Sequence, residues 1–135
     1  MHIEIHDYTK LSEIESVFNN HFPYLHLKFF RGKHAKFQSS QEKMLLDMNQ
    51  KVSEIRKTHL STILEIHPTE KVSQFEQEFQ DRIGFSVQVL GMGAIDWEQS
   101  TGLDMLNLHD LNIISRNASD EYVVEEYDQS LNELP

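Results

Sequence analysis

The sequence predicts an α+β fold, a ferredoxin-like sandwich built from two βαβ repeats. Three observations predict it. First, the chain resembles itself: at a constant offset of 61, Glu4, Ile5, His6, Lys10, Ser12, Glu15 and Phe18 meet Glu65, Ile66, His67, Lys71, Ser73, Glu76 and Phe79. One residue of slip then brings Leu25 and Leu27 onto Val87 and Val89. Second, both copies run from a short alternating segment, through a polar break and an apolar stripe at helical spacing, to a Pro or Gly and a second alternating segment. Third, 135 residues at 39% hydrophobic are enough for one domain with a core of its own.

Residues 2–6 alternate, with Ile3 and Ile5 to one side and His2, Glu4 and His6 to the other, as in a strand with one buried face. Leu11, Ile14, Val17 or Phe18, and Phe22 form a helix stripe that Pro23 ends. Residues 24–30 alternate again, which completes repeat one at 2–30. Residues 31–40 read as a basic loop. From 40 to 57 the apolar positions Met44, Leu45, Met48, Val52 and Ile55 predict an inter-repeat helix that belongs to neither repeat.

Repeat two spans 61–90. Leu64 and Ile66 point inward on its first strand, Val72, Phe75, Phe79 and Ile83 form its helix stripe, and Gly84 stops that helix. A turn at 91–93 leads to a β-hairpin strand over 94–100, and a short helix is expected over 102–115. The domain is thus expected to cover 1–116, followed by an acidic, mobile tail over 117–135. Right-handed crossovers would set the first strands of the two repeats side by side and antiparallel, with helices on one sheet face and the other face open.

Three segments resemble a family of small bacterial α/β proteins with a duplicated βαβ unit: FPYLHLKFF at 22–30, FEQEFQDRIGFSVQV at 75–89 and WEQST at 97–101. The resemblance covers about residues 3–101. It implies the repeat and no catalytic activity. The chain departs from the family's pattern at 102–105, where a second tryptophan is expected.

The charge excludes some classes of function. The net charge is −10, but residues 1–97 carry 13 acids and 11 bases, while 98–135 carry 9 acids and only Arg116. No basic face large enough to displace counterions from phosphate is indicated, so nucleic acid is not an expected partner. No apolar run reaches the ~20 residues that span a bilayer. The N-terminus opens on HIEIH without a basic-then-apolar leader, so no signal peptide is expected. With no cysteine, the chain suits a reducing compartment and reads as cytoplasmic.

If the inward residues face the helices, Glu4, His6, Glu65 and His67 share the open face, with His26 beside them. Two histidines with carboxylates could approach a metal or small ligand. Cross-strand His–Glu attraction on a wet face explains the same pattern more simply. Lys28, Arg31, Lys33 and Lys36 form a candidate anion loop, although no phosphate-loop spacing is present. No pattern asks for a resident metal or a cofactor. No G-x-S-x-G and no cysteine nucleophile is present.

Met44, Met48, Val52, Ile55 and Trp97 are candidate interface residues. The expectation is a non-enzymatic protein-interaction or regulatory module acting as a homodimer. The alternative is a small-ligand-binding or enzymatic ferredoxin-like dimer that uses the open face as its site.

Overall fold

A computed structural model of the chain describes residues 1–32, 44–91 and 106–118. Its architecture is mixed α+β. Within the described residues the order is β1 (His2–His6), α1 (Leu11–His21), β2 (Leu25–Phe30), α2 (Val52–Ile55), β3 (Ser61–Glu65), α3 (Val72–Ile83), β4 (Ser86–Gly91) and a final helix, α4, over 108–118. The strands form two antiparallel two-stranded ribbons, β1 with β3 and β2 with β4.

The alternation in β1 does what its sequence dictates: Ile3 and Ile5 are buried, and His2, Glu4 and His6 are exposed. The helix stripes are equally direct. Leu11, Ile14 and Phe18 of α1 and Val72, Phe75, Phe79 and Ile83 of α3 are buried. The two helices meet where Phe18 stacks on Phe75 at 5.2 Å between ring centroids. Phe79 lies 5.6 Å from both Phe29 and Phe85. Gly84 ends α3 in the left-handed region at φ 97°, and its N–H donates to the Gln80 carbonyl. That conformation costs glycine nothing and any other residue strain.

Several backbone bonds recur between the two halves. The Leu27 N–H donates to Glu15 Oε2 at 3.0 Å, and the Val89 N–H donates to Glu76 Oε2 at 2.8 Å. In each case a helix carboxylate holds the amide of the strand that follows. The approaches to the helices recur too. Leu11 N–H donates to Gln50 O, Val52 N–H to Thr9 O and Ser53 N–H to Asp7 O. Val72 N–H donates to Leu106 O, Leu108 N–H to Glu70 O and His109 N–H to Pro68 O. The segment before α2 therefore meets α1 as the segment before α4 meets α3.

The structure departs from the sequence reading in three places. Of the helix expected over 40–57, the described residues 44–57 hold one short turn, Val52–Ile55, and residues 44–51 are not helical in the α sense. Here Leu46 N–H donates to Phe29 O and Arg31 N–H to Met44 O, so the segment runs beside the end of β2. Asp47 Oδ1 then takes the Asn49 N–H at 2.8 Å, a side-chain turn that competes with helix. Part of its stripe has a partner within the chain: Val52 is in the core, Met48 and Ile55 pack against it, and Leu46, outside the stripe, is in the core too.

The face of β2 and β4 expected to lie open is largely covered. Every residue of β4 is buried, including Ser86 and Gln88. Finally, β2 pairs with β4, whereas a single ferredoxin-like sheet would set those strands at opposite edges. The short helix expected over 102–115 is α4 at 108–118. The expected strand at 94–100 lies outside the described residues; α4 takes in residues 117 and 118 of the tail expected over 117–135, and the rest of that tail lies outside them.

Candidate functional site

The β1–β3 ribbon carries three of the five ligand-binding candidates, Glu4, His6 and Glu65. Its register sets His2 opposite Glu65, Glu4 opposite Ile63 and His6 opposite Ser61. His2, Glu4, Ile63 and Glu65 thus share one exposed patch. His6 and His67 are not brought together. His6 faces Ser61, and His67 lies six positions further along β3's chain, about 20 Å at strand rise. Among the described residues no group of three His, Asp or Glu side chains could hold a metal ion.

The other candidates are dispersed. His26 is on the second ribbon, half-buried, with Nδ1 3.7 Å from Glu15 Oε1. Lys28 is half-buried and pairs across the ladder with Gln88. Arg31 is exposed, and Lys33 and Lys36 lie outside the described residues. Among the interface candidates Met44 is exposed, Met48 and Ile55 are half-buried and Val52 is buried. Trp97 lies outside the described residues.

The outer edge of β1 is the feature that sequence reasoning missed. Met1 and Ile66 exchange both backbone bonds, Met1 N to Ile66 O at 3.0 Å and Ile66 N to Met1 O at 2.8 Å. In an antiparallel ladder bonded pairs alternate, so Ile3 with Leu64 and Ile5 with Thr62 are bonded pairs. The N–H and C=O groups of His2 and Glu4 therefore point away from β3. Among the described residues β1 pairs with no second strand.

Beside this edge lies an open groove of about 250 Å³, walled by His2, Ile3 and Glu4 of β1 and by Glu13, Ile14 and Val17 of α1. Its lining mixes apolar Ile3, Ile14 and Val17 with polar His2, Glu4, Thr9 and Glu13. The equivalent positions beside β3 are filled differently. Ile14 corresponds to Phe75, Val17 to Glu78 and His21 to Arg82. Arg82 spans the gap, with Nη2 donating to Thr62 Oγ1 at 2.8 Å and Nη1 to Glu78 Oε1 at 3.4 Å.

Two carboxylates near the ribbon ends are electrostatically marked. Asp7 is held below the usual carboxylate range by the Leu60 N–H (2.8 Å) and by His59, whose Nδ1 lies 2.6 Å from Oδ2. Glu70 is pushed above its usual range, chiefly by burial, with the nearby Glu78 adding repulsion. Each serves a turn: Asp7 receives the chain entering β3, and Glu70 Oε2 accepts the His67 N–H. Their sequence signal was an acid next to a predicted strand end, a pattern too common to single them out.

The described residues define a mixed α+β fold in which β1 pairs with β3 alone. No family model, no curated protein and no solved structure matches the chain. None of the described helices is long and apolar enough to cross a membrane.

Proposed function

We propose that this chain is a non-enzymatic protein-interaction module that works as a homodimer, and that it is a tandem duplication folded about an internal two-fold axis. The cytoplasm is the location we propose, since a chain without cysteine suits a reducing compartment.

The duplication has support from register as well as sequence. Ile3 pairs with Leu64, and these residues are also equivalent at the offset of 61. Leu27 pairs with Val89, and these are equivalent after the one-residue slip. A residue that faces its own counterpart marks a two-fold axis, and here one such pair lies in each ribbon. In this reading each half-chain lacks a pairing partner for both of its strands and finds one only in the other half.

One observation carries the interaction reading. The β1–β3 ribbon has two strands among the described residues, so β1 offers a row of outward backbone donors and acceptors. Such an edge is a template for another chain. The exposed Ile63, 51% accessible at the centre of the same ribbon, adds apolar surface beside it.

Light scattering tests the reading. The expected particle has about twice the 15.9 kDa chain mass. A particle of single-chain mass across the accessible concentration range would overturn it.

A further inference from the structure

We infer that two copies of this chain join through their β1 edges, antiparallel about a two-fold axis at Ile3, giving a continuous four-stranded sheet β3-β1-β1-β3. The inference rests on the homodimer reading above and names its surface.

The backbone permits few registers. His2 and Glu4 present outward N–H and C=O groups. The same groups of His6 are engaged in the following turn, where His6 N–H donates to Thr9 Oγ1 and His6 O accepts the Thr9 N–H, both at 3.0 Å. Pairing His2 with Glu4 of the second copy uses both outward residues of each strand and makes two reciprocal bonded pairs, centred on an Ile3–Ile3 contact. Sliding by two residues in one direction opposes Glu4 with Glu4 and leaves His2 against the engaged His6. Sliding in the other direction opposes His2 with His2. Each alternative keeps one bonded pair in place of two.

The side chains select the same register. On the exposed face it sets each histidine against a carboxylate, whereas the Glu4–Glu4 alternative sets like charges directly opposite, which is destabilising. His2 would then stand between Glu65 of its own ribbon and Glu4 of the second copy. At the axis the two Ile3 backbones face each other, beside Ile14 and Val17 of the groove lining. The edge of β3 does not offer the same access, because Arg82 and Glu78 close the approach that stays open beside β1.

The experiment uses the full chain and four variants, each checked for folding by its urea midpoint. Glu4→Pro removes an outward N–H and leaves the β1–β3 ladder intact. It removes two of four bonds per dimer and should raise the dimer dissociation constant about thirtyfold. His2→Glu alone and Glu4→His alone each oppose like groups and should weaken the dimer. The double swap His2→Glu with Glu4→His restores unlike pairs and should restore dimerisation, which no folding defect would mimic. Ile3→Cys introduces the chain's one thiol, at a pair whose expected Cα separation of about 4.5 Å admits a disulfide. Oxidation should give a single cross-linked dimer.

A dimer that ignores Glu4→Pro and the charge swaps, and that fails to cross-link through Ile3→Cys, overturns this interface and leaves the homodimer reading standing. A monomeric native chain overturns both.

Discussion

Phe79→Ala is the sharpest test of the packing. Phe79 is fully buried on α3. Its ring lies 5.6 Å from Phe29 on β2, 5.6 Å from Phe85 just before β4, and 6.3 Å from Phe75 one turn earlier. Three of its neighbours are thus large rings fixed on separate elements, which cannot all move inward to fill the gap. Truncating a buried phenylalanine costs ~3–5 kcal/mol through lost transfer energy and the residual cavity. That is a large part of the ~5–15 kcal/mol that holds a typical domain together. At this chain length it should lower the melting temperature by about 10–15 °C and the urea midpoint by about 2 M. The assay is urea denaturation of native and variant chains followed by circular dichroism. Tyr8→Ala is the control: Tyr8 is 72% exposed and should change stability by no more than about 0.5 kcal/mol. A Phe79→Ala midpoint within error of the native one would refute the assignment of α3's buried face.

Asp7→Asn should destabilise the protein at neutral pH. Because Asp7's folded-state pKa lies below its ordinary 3.8, its contribution is present above that value and fades as pH falls through the folded one. Native and variant urea midpoints should therefore converge in strong acid, and a gap that stays constant would refute the role of the Leu60 and His59 contacts. Glu70 has the opposite sign: its pKa is raised above 4.5, so ionising it on folding costs stability that appears as pH rises through that range. Glu70→Gln, which keeps an acceptor for the His67 N–H, should match the native chain at low pH and exceed it at pH 7, as read from the same titration of midpoints. Gly84→Ala should cost about 1 kcal/mol or more by thermal melting, because a Cβ at φ 97° is strained and meets Arg56 Nη1 at 3.4 Å. An unchanged melting temperature would show that the helix end can relax.

Periodicity made the paired strands and the long helices legible. Ile5 and Ile66 are both buried, as are Phe18 and Phe79, because alternation and helical spacing both follow directly from one-sided burial. The segment before Lys57 was misread for a physical reason. Its apolar residues at 45, 48, 52 and 55 fit helical spacing, but in this structure Leu46 is the buried residue of the non-helical stretch and Leu45 is exposed. Backbone pairing with β2 and the Asp47 turn outcompeted a helix of modest propensity. The candidate site was legible only as a set of residues. Which of them meet depends on ladder register, and the repeat spacing alone does not give that register. An antiparallel pairing centred on Ile3 and Leu64 drives His6 and His67 apart, although the sequence repeat makes them look alike.

The second ribbon holds the last prediction. His26 in the first half corresponds to Gln88 in the second. His26 is half-buried beside Glu15, but Gln88 is wholly buried, and among the described residues neither its Oε1 nor its Nε2 has a hydrogen-bond partner. A buried amide without partners retains most of its desolvation cost, about 1–3 kcal/mol. Outward alternation on β4 would have set this residue in water, where a glutamine costs nothing. Covering both faces of β4 removed the water and left the polar group. Gln88→Met keeps the unbranched shape and removes both polar atoms, so it should stabilise the fold by about 1–3 kcal/mol. The thermal midpoint should rise by several degrees. A midpoint that falls would show that the amide is held by a bound water or other hydrogen-bonding group, and Gln88 would then mark a buried polar site between the two halves of the chain.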